Sequence, residues 1–211
     1  MPLIITSYII GPLQNNTYLA ADPNSKSAVI IDPGLGSEII ITDIKKNNLI
    51  VEMLLFTHAH FDHVAGAQQI LNAIGNDLLI GLHKEDINLL NSGGGAIEFR
   101  IDFEVRIKPN FELIDNQILH VGNEILKVLH TPGHTPGHVT FYSESSTVAF
   151  CGDLIFYHGV GRTDLSYGSF RKLENSIRSR IFSLPPETQL LCGHGPVTSV
   201  KEELSNNPFV K

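Results

Sequence analysis

The sequence predicts an α/β fold in which sheets are covered by helices, and three observations support this prediction. Short apolar runs end at clusters of Gly, Pro and Asn, as strands do. One buried strand is followed by a histidine-rich loop and then by a helix. Both halves of the chain mix short strands with helices, which is typical of an α/β sandwich.

The first third of the chain contains three predicted strands and one predicted helix. The strands occupy residues 3–10, 17–21 and 27–32. The third strand ends at the turn Asp32-Pro33-Gly34, where proline and glycine interrupt regular structure. The helix that follows runs through Ile39, Ile40 and Ile44 to Asn47.

Residues 51–57, Val-Glu-Met-Leu-Leu-Phe-Thr, form a short and mainly apolar run, which predicts a strand that is buried on both faces. A histidine-rich loop follows it, and a helix is predicted from 63 to 74. Residues 83–115 are weakly patterned. Their Gly93-Gly94-Gly95 run and Pro109 indicate a loop-rich segment at the surface.

The second half is predicted to repeat this mixture of elements. Its strands are predicted at 118–121, 124–130, 138–143, 147–152 and 188–192. A helix is predicted at 169–182, because Phe170, Leu173, Ile177 and Ile181 recur there at helical spacing.

Length and charge limit the architecture and the partners. The 211 residues have the size of one large domain, so we expect a single domain over 1–211. A chain of this length buries roughly 70 % of its unfolded surface, which allows a core without disulfides. The formal net charge of −7 disfavours nucleic acid as a partner. We expect a small-molecule substrate, and the oligomeric state stays open.

Neither a membrane segment nor a signal peptide is expected. No apolar run approaches the roughly 20 residues that cross a bilayer. The first ten residues lack a positively charged opening and a small-residue cleavage site. We therefore expect a soluble protein of the cytoplasm.

The two cysteines, Cys151 and Cys192, occur without CxxC spacing. We interpret them as reduced thiols within strands. Each lies two residues before a candidate ligand, in Cys-Gly-Asp and Cys-Gly-His, so a pairing near the site remains the alternative.

The strongest chemical signal is the segment Thr-His-Ala-His-Phe-Asp-His at 57–63. It brings four potential metal ligands to the carboxyl end of a buried strand, where open α/β sheets place their sites. In an extended loop His58 and His60 point the same way, whereas the adjacent Asp62 and His63 diverge. Two ions therefore fit the segment better than one.

The donor types narrow the choice of metal. Imidazole with carboxylate suits zinc, iron or manganese, and the lack of cysteine in the segment argues against a closed structural zinc site. Three further candidates follow strand ends in turns rich in Gly or Pro, namely His134, Asp153 and His194. Asp153 has two carboxylate oxygens and could bridge two ions.

These motifs resemble a known family. The 57–63 segment resembles the HxHxDH motif of the metallo-β-lactamase superfamily, and Pro-Gly-His-Thr, Gly-Asp and Gly-His-Gly follow in that family's order. Gly-Pro-Leu-Gln-Asn-Asn-Thr-Tyr-Leu and Ile-Asp-Pro-Gly extend the resemblance over nearly the whole chain. Within the superfamily the chain looks like the glyoxalase II branch, hydroxyacylglutathione hydrolases and their short relatives. The resemblance implies an αββα sandwich with a dinuclear site at one edge.

The resemblance also implies ligands and a reaction. The reaction would be hydrolysis of a thioester such as S-lactoylglutathione by a metal-bridging hydroxide, with Asp62 orienting the nucleophile. The leaving thiolate is a stable anion, so no strong general acid is required. The two ions would be zinc, with iron or manganese as alternatives. The implied ligands are His58, His60 and His134 for the first ion, Asp62, His63 and His194 for the second, and Asp153 as the bridge.

Two features depart from glyoxalase II. Full-length members carry a C-terminal helical region whose basic residues hold glutathione, whereas this chain stops soon after His194. After the bridging aspartate, where a basic residue and a tyrosine are expected, Arg162 is followed by Thr163 and Asp164. Arg162 is the candidate substrate ligand, and a structural Arg162–Asp164 pair is the equal alternative. We expect weak or broadened glutathione specificity.

The alternative function belongs to another reaction class. Gly-Arg-Thr-Asp also occurs in persulfide dioxygenases, which resemble this chain in fold. Those enzymes oxidise glutathione persulfide with one iron, held by residues that match His58, His134 and Asp153. A metal-binding protein without turnover is the third interpretation, and nuclease relatives are disfavoured by the acidic charge.

The remaining histidines receive lesser roles. In the repeat at 130–138 we expect His134 to bind metal, while His130 and His138 serve the hairpin and His138 supports the site. His83 and His120 fall outside every motif and are expected at the surface or in loops. Three residues after Asp153 are considered for the pocket wall but not for catalysis: Tyr157, His158 and Tyr167.

Overall fold

The computed structural model describes residues 1–75, 77–101, 103–165 and 167–210. These residues form two six-stranded sheets and a two-stranded ribbon. In the first sheet the strands lie in chain order, antiparallel from β1 to β3 and parallel from β3 to β6. They are β1 (Ile4–Ile10), β2 (Asn15–Ala21), β3 (Ser27–Ile31), β4 (Ile50–Leu55), β5 (Leu79–His83) and β6 (Phe111–Leu113).

The second sheet has the order β14-β13-β10-β9-β8-β7, in which β10 and β13 are parallel and the other pairs antiparallel. Its strands are β7 (Ile118–Val121), β8 (Glu124–His130), β9 (Val139–Ser143), β10 (Val148–Gly152), β13 (Gln189–Cys192) and β14 (Thr198–Ser199). The ribbon consists of β11 (Ile155–Phe156) and β12 (Gly159–Val160).

Helices cover the outer faces of both sheets. They are α1 (Glu38–Asn47), α2 (Phe61–Val64), α3 (Ala67–Ile74), α4 (Ile87–Asn91), α5 (Phe170–Ser176) and α6 (Val200–Asn206). Short 3₁₀ segments lie at Lys84–Asp86 and Ala96–Phe99, and α5 continues as a π-helical turn at Ile177–Ile181. Among the described residues no helix combines the length and the apolar character needed to cross a membrane.

Strand β3 of the first sheet is buried on both of its faces. In β3, Val29 and Ile31 point towards the second sheet and pack with Phe150. Ile30 points the other way and packs with Ile40 of α1. This alternation follows from the period of two in a strand. One core therefore lies between the sheets, and another lies between the first sheet and its helices.

The second sheet is covered in the same way. Its outer face contributes Ala149, which packs with Leu173, Ile177 and Ile181 of the α5 segment. The spacing of those three side chains is the helical pattern that predicted this element. The four layers, helices, sheet, sheet and helices, confirm the predicted αββα sandwich.

The helix predicted at 63–74 is instead two helices, α2 and α3. Gly66 lies between them, and its N–H donates to Pro33 O at 2.8 Å. A Cβ atom at Gly66 would lie 1.9 Å from Gly34 O, so only glycine allows the chain to pass this closely. The apolar periodicity across 63–74 did not reveal this tertiary contact.

The segment 83–115 contains more regular structure than predicted, namely α4, β6 and two 3₁₀ segments. The prediction for His83 was wrong. His83 ends the unpredicted strand β5, is 6 % exposed, and stacks on His130 with ring centroids 4.2 Å apart. The strand pairing of β5 with β4 and β6 is long-range, so the local sequence did not predict this burial. His120 is exposed on β7, as expected.

Asp22 joins the two sheets at the end opposite the histidine-rich loop. Its carboxylate accepts hydrogen bonds from Asn24 N, Ser25 Oγ, and both the main-chain and side-chain nitrogens of Asn123 in the β7–β8 turn. These bonds, first of all those from the backbone N–H groups of Asn123 and Asn24, hold the pKa of Asp22 well below its usual value. Ionised Asp22 is therefore the form that stabilises the fold.

Replacing Asp22 with Asn is expected to lower the melting temperature at neutral pH, with a smaller difference in acid. Because the folded pKa is depressed, the stabilisation is complete above the unfolded pKa of about 4 and is lost as the pH falls below it. Thermal unfolding of both proteins between pH 7 and pH 3 measures the difference. A difference that stayed constant over this range would contradict the role of the charge.

Candidate metal centre

Seven side chains predicted as ligands lie together at one edge of the sandwich. Four chain segments carry them: the loop and helix after β4, the loop between β8 and β9, and the turns after β10 and β13. They are His58, His60, Asp62, His63, His134, Asp153 and His194.

The parallel pair β10 and β13 brings two of these residues to the same place. Both strands end at this edge, and Gly193 N donates to Gly152 O at 2.8 Å, so that Asp153 and His194 lie side by side. The glycine at 193 leaves room for the site, because a Cβ atom there would lie 2.2 Å from Asp153 Oδ1. Small residues at these strand ends thus allow backbone to approach the cluster closely.

Three histidines form the first group of ligand atoms. One nitrogen each of His58, His60 and His134 lies within 4.8 Å of the others, and His60 Nδ1 is 2.8 Å from His134 Nε2. All three side chains are buried. The spacing of His58 and His60 predicted that these two could share one ion, and the resemblance added His134.

Asp62, His63 and His194 form the second group, and their ligand atoms also lie within 4.8 Å of one another. Asp62 Oδ2 is 3.1 Å from His194 Nε2 and 3.5 Å from His63 Nε2. His194 is 27 % exposed and is the most open residue of the group, so this side of the cluster faces solvent.

Asp153 lies between the two groups. Its Oδ1 is 3.4 Å from His63 Nε2 and 3.7 Å from His194 Nε2. Its Oδ2 is 3.6 Å from His134 Nε2, in the first group. One carboxylate therefore presents an oxygen to each set of histidines.

Hydrogen bonds on the outer ring nitrogens aim the histidines at the centre. His63 Nδ1 lies 3.0 Å from Asp32 Oδ2, His134 Nδ1 lies 2.8 Å from Arg162 O, and His194 Nδ1 lies 3.1 Å from Leu13 O. With the outer nitrogen donating, the Nε2 atom keeps a lone pair towards the cluster. Such outer partners fix the tautomer and orientation of metal-binding imidazoles.

The side chains fit divalent metal ions. His58 Nε2, His63 Nε2 and Asp153 Oδ1 are buried and have no hydrogen-bond partner among the described residues, although buried polar atoms are normally satisfied. Ligand atoms at about 2.1 Å from a tetrahedral ion lie about 3.4 Å apart. The measured separations of 3.4 to 3.7 Å around Asp153 agree with that spacing.

The surroundings of the first group favour the uncharged form of its histidines. Burial, together with the neighbouring histidines, lowers the pKa of His58 well below its usual value and that of His60 to about 3. Burial also lowers the pKa of His134. Neutral imidazole is the form that binds metal, so these pKa shifts favour the form of the histidines that can accept an ion.

In the second group, histidines lie close to negatively charged carboxylates. Although burial acts in the opposite direction, Asp62, Asp153 and Asp32 raise the pKa of His63 well above its usual value. Burial alone would raise the pKa of Asp153. The facing His63 and His194 outweigh burial and lower this pKa below its usual value. The carboxylates are thus ionised and require positive charge nearby, which protons on His63 and His194 or metal ions can supply.

Asp32 positions the centre without facing it. It is 2 % exposed, accepts hydrogen bonds from Thr57 N at 2.7 Å and Thr57 Oγ1 at 2.6 Å, and holds His63 as described above. Its φ of 52° is unusual for a residue other than glycine. The turn Asp-Pro-Gly at a strand end was the sequence signal for this residue, but its partners lie 25 and 31 positions away.

Asp86 is a second buried carboxylate that the sequence did not single out. It accepts hydrogen bonds from Ala59 N at 3.0 Å, Thr135 Oγ1 at 2.7 Å and Gly137 N at 2.6 Å. It therefore joins the loop of His58 and His60 to the loop of His134. No local pattern marks it, because it follows a strand that was not predicted.

Arg162 forms the pair that the sequence offered as the alternative to substrate binding. Its Nε and Nη2 atoms donate to the two carboxylate oxygens of Asp164, each at 2.9 Å. The contribution of Arg162 to the centre comes from its main chain, whose carbonyl oxygen accepts from His134. Its side chain is half exposed.

The other residues considered for the pocket wall lie at the surface. Tyr157 stacks on His158, which pairs with Glu202 at 2.8 Å, and Tyr167 is 64 % exposed. Cys151 and Cys192 are free, buried thiols in the adjacent strands β10 and β13. Burial raises the pKa of the Cys151 thiol, and both cysteines lie within strands, as predicted.

The histidines of the repeat at 130–138 differ in their surroundings. His138 is buried, its Nδ1 lies 2.9 Å from Thr131 Oγ1, and its ring stacks 5.4 Å from that of His58. His130 Nε2 lies 3.0 Å from Pro136 O and closes the hairpin loop. Only His134 belongs to a group of described residues whose ligand atoms converge.

Replacing His134 with Ala is therefore expected to remove the first metal, whereas the matched change His138→Ala should keep it and lower only the affinity. Mutating a residue that supports a metal ligand from outside typically lowers metal affinity by about 10- to 100-fold. Metal content after dialysis at defined free zinc distinguishes the two variants. Retention of the first metal by His134→Ala together with its loss in His138→Ala would reverse the assignment.

Comparison with known proteins places this arrangement in a family. The sequence profile of the metallo-β-lactamase superfamily matches residues 10–194. The chain is 35 % identical over 206 residues to the probable metallo-hydrolase YqgX of Bacillus subtilis, covering 95 % of this chain and 94 % of the relative. It is 33 % identical over 202 residues to the hydroxyacylglutathione hydrolase GloC of Haemophilus influenzae, covering 95 % of both.

Solved structures give the same result. The BLEG-1 B3 metallo-β-lactamase superposes with a TM-score of 0.92 at 33 % identity, over 99 % of this chain and 100 % of the other. TTHA1623, in a di-iron-bound form, gives 0.86 at 36 % identity, over 97 % and 99 %. ETHE1 from Myxococcus xanthus gives 0.80 at 25 % identity, over 98 % and 84 %. The chain belongs to the metallo-β-lactamase superfamily of metal-dependent enzymes.

Proposed function

We propose that the protein is a dinuclear metal-dependent hydrolase that cleaves a thioester. The observation that carries the proposal is the position of Asp153, which presents one oxygen to His134 and the other to His63 and His194 at 3.4 to 3.7 Å. A carboxylate between two convergent ligand groups is suited to bridge two ions. A single ion would leave one of the two groups of ligand atoms unoccupied.

Each group supplies three protein ligands besides the shared carboxylate. His58, His60 and His134 would hold the first ion, and Asp62, His63 and His194 the second, with Asp153 as the bridge. Imidazole and carboxylate donors suit zinc, which we propose as the metal, and the di-iron form of TTHA1623 keeps iron as an alternative. Manganese fits the same donors.

Bound divalent ions would supply the Lewis acidity that makes water nucleophilic near neutral pH and polarises the carbonyl under attack. The protein's own part is orientation. Asp62, 11 % exposed and at the solvent-facing side, is assigned to orient the attacking water. Water adds to the acyl carbon and the C–S bond breaks. The thiolate leaves with the electron pair and takes up the proton that water releases.

Two observations support a thioester as the substrate class. The relative GloC is described as a hydroxyacylglutathione hydrolase, and the match extends over 95 % of both chains. A thiolate also leaves as an anion, so the reaction needs no general acid. This agrees with the centre, where the described ionisable residues near the candidate ligands are engaged in positioning those ligands. S-lactoylglutathione is the first substrate to test. The pairing of Arg162 with Asp164 supports weak selection for the glutathione carboxylates.

A second candidate is a mononuclear iron dioxygenase acting on glutathione persulfide. The segment Gly161-Arg162-Thr163-Asp164 favours it, and the likeness to ETHE1 is compatible with it. In that enzyme His58, His134 and Asp153 would hold one iron. The second group of ligands would then have no catalytic metal.

Metal analysis combined with a substrate panel tests the proposal. The protein is purified without added metal, its metal content is measured, and samples reconstituted with zinc, iron or manganese are given S-D-lactoylglutathione and other thioesters. We expect two ions per chain and thioester cleavage, detected as released thiol. Asp62→Asn is expected to retain the first metal, to bind the second more weakly and to lower kcat.

Two control substrates separate the alternatives. One iron per chain with oxygen consumption that depends on glutathione persulfide would replace the hydrolase by the dioxygenase. Cleavage of a β-lactam but of no thioester would assign the chain to the activity named for BLEG-1. If S-lactoylglutathione stays intact while another thioester or a lactone is cleaved, the glutathione assignment fails and the hydrolase remains.

A further inference from the structure

An apolar pocket adjoins the second ligand group. It has a volume of about 150 Å³ and lies between the β1–β2 loop, the start of α2 and the segment around Phe103. Leu13, Leu35, Phe61 and Ile101 contribute to its walls, and Asp62 lies at its margin. The Phe61 and Phe103 rings pack with centroids 6.3 Å apart, which gives the pocket a firm aromatic side.

The pocket and the candidate metal centre share Asp62, which lines the pocket and belongs to the second ligand group. Leu13 lines the pocket, and its carbonyl oxygen accepts the hydrogen bond from His194 Nδ1. Phe61 lies in the chain between His60 of the first group and Asp62 of the second. A substrate whose carbonyl reaches the centre can therefore extend one of its two ends into this pocket.

A thioester has an acyl end and a thiol end, and the side chains that line the pocket favour one of them. The described residues that line the pocket include no Lys or Arg, so they offer no partner for the carboxylates of a glutathione-like thiol. Apolar walls instead gain free energy by removing a hydrocarbon group from water. The end that fits is an apolar acyl group, and its size is limited to a short branched or cyclic chain.

The apolar pocket also contains one buried polar side chain, that of Asn15. Asn15 lines the pocket and is 1 % exposed, and its Nδ2 donates to Asp62 O at 2.6 Å and Asp32 O at 3.3 Å. Both partners are acceptors, so the orientation of the amide is settled. Its Oδ1 is buried without a hydrogen-bond partner among the described residues. A buried acceptor of this kind calls for a donor.

We propose that this pocket is the acyl subsite and that it takes a branched acyl group of about six carbons bearing one hydroxyl, which donates to Asn15 Oδ1. The inference rests on the proposed thioester hydrolase function and names the acyl part of its substrate. It assigns the thiol part to the open side of the centre.

Thioesters of one thiol, N-acetylcysteamine, test the acyl preference in the metal-loaded protein. The acyl groups are acetyl, lactoyl, isocaproyl and 2-hydroxyisocaproyl. We expect 2-hydroxyisocaproyl to exceed lactoyl in kcat/KM by roughly tenfold or more, since each methylene in a fitted apolar pocket is worth roughly 10- to 200-fold. It should exceed isocaproyl by roughly tenfold, because the non-hydroxylated analogue leaves Asn15 unpaired.

Two variants locate the effect in the pocket. Leu35→Trp, at a wall residue that is 49 % exposed, should lower kcat/KM for 2-hydroxyisocaproyl roughly tenfold and for acetyl less than twofold. The matched control Leu204→Trp, on α6 and 55 % exposed, should change neither. In Asn15→Ala the ratio of 2-hydroxyisocaproyl to isocaproyl turnover should fall to near one. This ratio remains informative even if total activity drops.

The outcomes separate the two proposals. Hydrolysis of none of the four thioesters, together with no cleavage of S-lactoylglutathione, would refute the proposed function itself. If acetyl and lactoyl thioesters are cleaved but Leu35→Trp affects long and short acyl groups alike, the hydrolase stands and the acyl subsite is refuted. An unchanged hydroxyl preference in Asn15→Ala would likewise overturn the assignment of Asn15.

Discussion

Replacing Asp153 with Ala is expected to abolish binding of the second metal, weaken the first and reduce hydrolysis by roughly a hundredfold or more. Mutating a residue that only supports a metal ligand lowers metal affinity or activity by about 10- to 100-fold. Asp153 faces both ligand groups directly, so a larger loss is expected. The change also leaves His63 and His194 without one of the carboxylates that balance their charge. Metal content and kcat/KM of the reconstituted variant are the measurements.

Asp153→Asn is the informative companion to this variant. It keeps the volume and one oxygen, so a bridge that needs two negatively charged oxygens should still be lost. A protein with two metals and wild-type turnover after either change would overturn the bridging assignment. Loss of the second metal with an unchanged affinity for the first would identify Asp153 as a ligand of the second site alone.

Replacing Asp86 with Ala is expected to destabilise the fold by roughly 3–5 kcal/mol. The change leaves three buried donors without their acceptor, and each unsatisfied donor costs about 1–3 kcal/mol before relaxation. In a chain of this size the melting temperature should fall by roughly 2–4 °C per kcal/mol. The first metal group should also lose affinity, because Asp86 holds the loop of His58 and His60 against that of His134.

A matched set of variants isolates this effect. Burial raises the pKa of Asp86, although the hydrogen bonds from its three donors lower it. Burying the charged carboxylate therefore costs free energy. Asp86→Asn removes the charge and keeps an acceptor, so it should be less damaging than Asp86→Ala. Asp77→Ala removes an exposed aspartate and serves as the control. Denaturant unfolding and zinc affinity are the readouts. An Asp86→Ala protein with an unchanged unfolding midpoint would contradict the role of this carboxylate.

Local patterns in the sequence predicted much of the second sheet. The strands predicted at 118–121 and 124–130 coincide with β7 and β8, because alternating apolar residues and tight turns define a hairpin within a few residues. The first sheet was predicted less completely. β5 and β6 pair with strands far away in the chain, and their short sequences carry no comparable alternation.

The candidate centre divides in the same way. The residues at 58–63 lie close together in sequence, and their types and spacing alone indicate metal chemistry. His134, Asp153 and His194 became credible only together and by resemblance to a family. That all seven converge at one edge agrees with the expectation, whereas the number and identity of the ions remain predictions.

The sequence by itself determined the kinds of candidate ligand, their order along the chain and the sandwich that carries them, because these depend on residue type, periodicity and neighbouring turns. Only the tertiary structure decided which atoms support them. Asp86 joins loops that are 27 to 51 residues away, Arg162 acts through its main chain, and Asn15 keeps an acceptor without a partner among the described residues, in a pocket built from separate segments. Contacts of this kind depend on how distant strands pair and pack, so no local pattern records them.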